Sequence, residues 1–306
     1  LGIVDLALQA RGTGFDPLLP RTRTSLRAQI DRAEFGGRDF GGIELDAELD
    51  SQRLSGRISD RDEALRLLLS VSGTLTEREQ RIGLSGSVFG FDLAALGVSP
   101  EPIGGSFALD ASASAAGKGA YAARIALDSI EIRNKHRTDR IRPTSVSLHT
   151  DSAATRAEAA SGDLSLTFST PQSADSLIAA LTRSARTLAG QIDAQSIDME
   201  QLKPALPDFA LRVSAGPDNI LNSLLKSRKI AFDALNAEGA NCDSLPVSIR
   251  LRTEGLAYGN VVLDTVTADI RQNGKRLEYA LGLANTPGNL DNIARAGLYG
   301  HLVRNT

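Results

Sequence analysis

The chain has 306 residues, 42% hydrophobic and 23% charged, with a net charge of −3 and acids and bases interspersed. That balance fits a folded chain of one large or two ordinary domains, and it excludes a disordered tail and electrostatic capture of nucleic acid. Aromatics make up only 4% with no Trp, a thin supply of bulky groups for a deep core, and the lone Cys242 excludes an intrachain disulfide without fixing the compartment.

No stretch approaches the roughly 18 consecutive apolar residues of a membrane-spanning helix, and no charged-then-apolar signal peptide is present. The chain opens at Leu1 and its only Met is Met199, so it reads as a piece of a longer protein, with any membrane anchor outside it.

Near the start, "GTGFDP" (12–17) begins like a Gly-rich loop but lacks the third Gly and the following helix, and reads as a turn. From there alternation recurs. "IELDAELDS" (43–51) puts Ile43, Leu45, Ala47 and Leu49 on one face and only acids on the other. "LRLLLSVSG" (65–73) and "RIGLSGSVFG" (81–90) repeat the pattern with Leu65, Leu67, Leu69 and Val71, then with Ile82, Leu84 and Val88. "FDLAALGV" (91–98) predicts a helical turn ending near Gly97. Further strands are predicted at 106–115, 123–134, 144–150, 162–170, 209–215 and 247–259, punctuated by Gly, Pro, Asn and Asp. This is a meander pattern, not βαβ alternation.

Two segments carry helical spacing. Over 173–192, Leu177, Ile178, Leu181, Leu188 and Ile192 form one stripe, with Ser173 or Asp175 as cap and Gly190 loosening the end. Over 217–227, Pro217 suits the first turn and Ile220, Leu221, Leu224 and Leu225 form the expected buried face. A shorter helical turn is expected at 198–203.

"VTADIRQNGKRLEYALGL" (266–283) reads as a hairpin around Asn273-Gly274, a pair that tolerates the positive φ of a two-residue loop. Counting outward places Ile270 opposite Leu277, Ala268 opposite Tyr279 and Val266 opposite Leu281, all on one apolar face. The same count sets Asp269 against Glu278 and Arg271 against Arg276, relieved only by diagonal neighbours. The segments 40–59 and 258–281 align as weak internal repeats, and a third Leu-Asp strand lies at 123–134. Apolar parity shifts after Leu-Asp, from Leu127 to Ile130 and from Leu263 to Val266, which predicts a bulge at both places.

Chemistry is sparse. His136, His149 and His301 lie far apart with no i+4 partner, so no metal site is expected. No nucleophile elbow or phosphate loop occurs, and acid pairs such as Asp60 with Asp62 or Glu77 with Glu79 read as solvated turn charge. No catalytic residue and no cofactor are expected. The basic run Arg133, Lys135, His136, Arg137, Arg140 and Arg142 is the one sharp charge feature. It reads as a solvated hairpin tip, with contact to anionic lipid head groups as the sharper alternative and no aromatic interleaving for nucleic acid.

Taken together, the one-faced hairpins, the Leu-Asp-Ser/Thr strand starts and "DLAALG" (92–97) resemble the AsmA-like superfamily. Within it the chain is most similar to the TamB-like translocation and assembly module proteins of the Bacteroidetes type. The most specific stretch runs through "SGDLSLTFSTPQSADSLIAAL" (161–181), "LKPALPDFALRVSAGPDNILNSLL" (202–225), "GLAYGNVVLDTVTADI" (255–270) and "YALGLANTPGNL" (279–290). The resemblance implies a periplasmic protein tethered to the inner membrane, built as an elongated, curved, taco-like antiparallel β-sheet with an apolar trough. It implies phospholipid transport between the membranes, and assembly or secretion of outer-membrane proteins with a partner assembly barrel. It supplies no catalytic residues.

The expected fold is therefore mainly β with a few helices (α+β), the helices near 173–192 and 217–227 covering part of the apolar face. The chain is read as one fragment, 1–306, with a β-meander half at 1–160 and a helix-containing half at 161–306. Two helices shield too little of a sheet of a dozen or more strands, so the remainder folds on itself or holds apolar ligand. The expected groove lining is Val266, Ala268, Ile270, Leu277, Tyr279, Leu281 and Leu283, with phospholipid acyl chains as ligand. Strand addition at open edges for outer-membrane protein assembly is the alternative, and a purely structural β-spacer the second.

Overall fold

The computed structural model describes residues 4–14, 16–35, 38–117, 119–135, 137–193, 198–226, 228–242, 245–286 and 295–302. The chain divides into two compact units, Leu1–Ser147 and Leu148–Thr306. Both consist almost wholly of antiparallel strands, and the three helices among the described residues lie in the second. The fold class read from the sequence, mainly β with a few helices, is the one adopted.

In the first unit the strands are β1 (Val4–Thr13), β2 (Arg23–Phe35), β3 (Arg38–Phe40), β4 (Ile43–Asp50), β5 (Arg53–Arg61) and β6 (Leu65–Leu75). They continue as β7 (Glu79–Asp92), β8 (Gly104–Ala116), β9 (Ala120–Arg133), β10 (Thr138–Ile141) and the start of β11 (Thr144–Thr150). Apart from the short β3, each strand from β1 to β9 pairs with the next, as the alternating pattern demands. The registers align side chains into rows. One row runs Leu8, Ala28, Leu45, Ile58, Leu69, Gly86, Leu109, Leu127. The next on the same face runs Ala10, Leu26, Ala47, Gly56, Val71, Leu84, Ala111, Ile125. The opposite face carries Gln9, Arg27, Asp46, Arg57, Ser70, Ser85 and Asp110 in line.

The second unit contains β12 (Thr155–Ser161), β13 (Leu164–Thr170), α1 (Ala174–Asp193), α2 (Met199–Ala205), β14 (Phe209–Ala215) and α3 (Ile220–Lys226). It ends with β15 (Ile230–Ala231), β16 (Ala234–Cys242), β17 (Leu245–Tyr258), β18 (Val261–Asn273), β19 (Arg276–Ala284) and β20 (Arg295–Leu302). The same design recurs. One apolar row runs Ala157, Phe168, Leu211, Gly239, Ile249, Ile270, Tyr279, Gly300. Its neighbour runs Ala159, Leu166, Val213, Ala237, Leu251, Ala268, Leu281, Leu298.

The β18–β19 loop corrects the sequence reading. Asn273 pairs with Arg276, so the loop is Gly274-Lys275, and the register moves by two residues: Ile270 faces Tyr279, Ala268 faces Leu281 and Val266 faces Leu283. Gly274 has φ 58°, as the first loop position of a type II′ turn requires. A two-residue shift preserves side-chain parity, so the apolar face survives. What changes is charge: Arg271 now faces Glu278, and the like-charged oppositions vanish.

The predicted bulges divide. Between Ser106 and Ala108 on β8, β9 carries an extra residue, and Ser129 takes φ 51°, so the parity shift after Leu127 is a bulge. After Leu263 the β17–β18 register runs through unbroken. There Gly255 of the partner strand adopts φ 60°, and Asn285 Oδ1 accepts from the Asp264 N–H at 2.9 Å. The expected helical turn within 91–98 is present as a single turn over 93–97, closed by the Leu96 N–H donating to Asp92 O at 2.9 Å. Asp92 Oδ1 accepts from the Ala94 N–H, and Gly97 at φ 76° stops the turn.

The helices occupy strand ends. Ser173 caps α1 by accepting from Ser176 N–H at 3.3 Å, and Asp198 caps α2 by accepting from Glu200 N–H. The stripe read from sequence points away: Ile178, Leu181, Leu188 and Ile192 are exposed, and Ala180, Ser184 and Gln191 are the buried positions. The reason is polar docking. Ser184 Oγ donates to Ala205 O at 2.6 Å, and Gln191 exchanges bonds with the backbone of Asp198 at 3.0 and 3.1 Å. Of the face expected for α3, Ile220, Leu221 and Leu225 are half-buried and Leu224 is exposed, while the fully buried residue is Asn222, which donates to Pro217 O and Phe232 O and accepts from Phe232 N–H.

Candidate functional site

The feature that sets the chemistry is the apolar face of each unit. Buried hydrophobic side chains are few among the described residues, and of the four rows traced above only Leu69 is one of them. Others stay open to solvent, with Ile249 at 42%, Leu281 at 43% and Leu298 at 58% exposure. In the second unit α2 closes one strand end, where Met199 and Leu202 pack on Val247 beside Leu206 and Leu277. The rest of that face keeps most side chains half-buried.

All seven residues expected to line a groove lie on this face. Val266, Ala268 and Ile270 stand opposite Leu283, Leu281 and Tyr279, and Leu277 stands opposite Gln272 at the covered end. Apolar surface left in water is unfavourable by about 25 cal/mol per Å².

The opposite face is a ladder of alternating charge. Arg212, Glu238, Arg250 and Asp269 stand successively opposite one another on β14, β16, β17 and β18, with Arg212–Glu238 at 3.3 Å and Arg250–Asp269 at 3.5 Å. The bond from Arg271 holds the Asp269 carboxyl below its ordinary pKa. In the first unit Arg23–Asp50 at 2.8 Å and Arg27–Asp46 at 2.6 Å are the matching ion pairs across neighbouring strands. A shallow depression of about 580 Å³ between Gln9, Arg27, Asp46 and Arg57 is formed by these long polar side chains.

Asp60 departs from the expectation of solvated turn charge. It is 5% exposed and pairs with Leu67, and burial pushes its carboxyl pKa up while the Asp62 N–H donates to it at 2.8 Å. The basic run occupies the β9–β10 tip, where Arg133 meets Glu131 at 3.8 Å and Arg137 meets Asp139 at 2.6 Å. Lys135, Arg140 and Arg142 are exposed there, and His136 lies outside the described residues. No group of His, Cys, Asp or Glu suited to a metal ion occurs among the described residues.

Sequence reasoning missed one place. At the α2 end of the second unit, a cavity of about 500 Å³ is lined by Gln172, Met199, Glu200, Lys203, Pro204, Leu206, Asp208, Asn241, Gln272 and Gly274. Gln172 Oε1 and Asn241 Oδ1 are buried without a hydrogen-bond partner, as is Thr170 Oγ1 nearby in sequence. No motif announces these residues: they are single polar side chains at strand ends, gathered only by the fold.

No family model, no curated protein and no solved structure matches the chain. No helix among the described residues is long and apolar enough to cross a membrane.

Proposed function

We propose that the chain is a non-catalytic segment of a TamB-like periplasmic protein that carries phospholipid acyl chains along an apolar groove between the inner and outer membranes, tethered to the inner membrane in the full-length protein. The observation that supports this reading is the pair of apolar faces, each crossing eight strands, whose traced rows are mostly half-buried with Leu8, Ile249, Leu281 and Leu298 exposed. A methylene leaving water gains about 0.8 kcal/mol, so an acyl chain of about 16 carbons bound along such rows offsets its removal from a bilayer. The four traced rows carry Gly, Ala, larger aliphatic and aromatic side chains and no charge, so an acyl chain lying along them meets no deep trap; Asp60 and Gln272 flank them on the same faces. Polar-face charge ladders keep the other side wet and direct apolar ligand to one side only.

Native mass spectrometry of protein purified from cells tests this. Co-purified phospholipid is expected, and Ala268→Asp with Leu281→Asp should remove it while Ala280→Asp on the polar face leaves it bound.

Strand addition to clients with a partner assembly barrel is the second reading, and β1 favours it. Among the described pairings β1 pairs with β2 alone, and all ten of its residues are exposed, including Leu6 at 52% and Leu8 at 59%. Such an edge takes a further strand, whether from the longer chain or from a client. Crosslinks from β1 to an unfolded client strand support it; crosslinks confined to the apolar face exclude it.

A further inference from the structure

We infer that the cavity beside α2 is a head-group subsite that reads hydrogen-bond donors, selecting amphiphiles whose polar head carries a primary ammonium near an anionic group. This rests on the acyl-chain reading of the neighbouring apolar face. Asn241 is 2% exposed, and its Nδ2 donates to Pro207 O at 2.8 Å. That bond fixes the amide so that Oδ1 is the atom left over, and Oδ1 has no partner. Gln172 presents a second buried acceptor without a partner on the wall of the same cavity. Two unsatisfied buried acceptors are costly, and a site that keeps both is built to receive donors.

The remaining walls carry both signs of charge, with Glu200 already held by Lys275 at 2.7 Å. Asp208 adds a carboxylate and Lys203 an ammonium to the same cavity. A head group with N–H donors on one side and a phosphate on the other meets acceptors at Gln172, Asn241 and Asp208 and a cation at Lys203. The floor includes Met199 and Leu206, which belong to the apolar cluster with Val247 and Leu277. That cluster lies at the end of the apolar rows, so a tail leaving the cavity passes onto the face itself.

Ethanolamine and choline phospholipids separate donor reading from charge and shape, because the choline head keeps the positive charge and phosphate but has no N–H. The intact chain is titrated calorimetrically with dihexanoyl phosphatidylethanolamine and dihexanoyl phosphatidylcholine. The ethanolamine lipid should bind about tenfold more tightly. Gln172→Leu leaves the Asn241–Pro207 bond in place and should lower the ratio about threefold, and Asp208→Asn should lower it as well. Equal binding of the two lipids overturns the head-group site while leaving the acyl-chain reading standing. A ratio unchanged in Gln172→Leu overturns the assignment to this cavity. Failure of both lipids to bind overturns both readings.

Discussion

Arg271 on β18 stands directly opposite Glu278 on β19, and its guanidinium also holds Asp269 through two bonds of 2.6 Å. This relationship decides the hairpin register. Turn chemistry and apolar parity tolerate either loop, Asn273-Gly274 or Gly274-Lys275. Only the second replaces two like-charged oppositions with an attractive one.

The loop assignment predicts unequal costs at adjacent positions. Gly274 holds positive φ and Asn273 does not. Gly274→Ala should destabilise by about 1–2 kcal/mol, the penalty of a left-handed alanine. Asn273→Ala should cost about 0.5–1.5 kcal/mol or less, since it removes only an exposed bond to Glu278. Urea denaturation of the two variants checks the order; a larger loss at Asn273 would restore the first loop.

Two carboxyls should respond to pH in opposite directions. Asp269 sits below its ordinary value of 3.8 because Arg271 bonds it and Arg250 lies close. Its contribution to stability is complete above that ordinary value and is lost as pH falls through the lowered one. Arg271→Gln should raise the Asp269 pKa, read by carboxyl NMR.

Asp60 runs the other way. Burial raises its pKa, so the folded state binds its proton more tightly than the unfolded state does. Stability from this group therefore increases as pH falls through the raised pKa toward the ordinary value. Asp60→Asn keeps an oxygen for the Asp62 N–H and removes the buried charge. Its melting temperature should exceed that of the parent at pH 7, and the gain should vanish near pH 3, about one unit below the usual carboxylate pKa.

Asn222 joins α3 to the chain around Phe232. It is 0% exposed and serves Pro217 O, Phe232 O and the Phe232 N–H. Asn222→Ala strands these buried groups and should cost about 2–4 kcal/mol in chemical denaturation.

The outward stripe of α1 predicts tolerance. Replacing Ile178 and Leu188 by Lys should change stability by no more than about 0.5 kcal/mol, since neither side chain is buried. A loss of several kcal/mol would show that the stripe is a core face.

The strands were legible in the sequence because period-two alternation is long and clean, as in Leu65, Leu67, Leu69 and Val71 on β6. The apolar faces followed from the same signal. Helix positions were legible from spacing and caps, but the face of α1 was not. Apolar periodicity reports where hydrophobic groups gather, and it cannot show that Ser184 and Gln191 would win the docking contacts by bonding Ala205 and Asp198. The β18–β19 loop failed for a similar reason: charge across strands outweighed the local preference for Asn-Gly. The α2 cavity was invisible, since Gln172 and Asn241 are distant in sequence and ordinary in type.

The central claim is that the apolar faces hold acyl chains, and site-specific photocrosslinking tests it most directly. A benzoyl-phenylalanine placed at Leu281, on the apolar face, and another at Ala280, on the polar face, are activated in cells. The account predicts phospholipid adducts from position 281 and none from position 280. Equal labelling at the two positions, or none at 281, contradicts it.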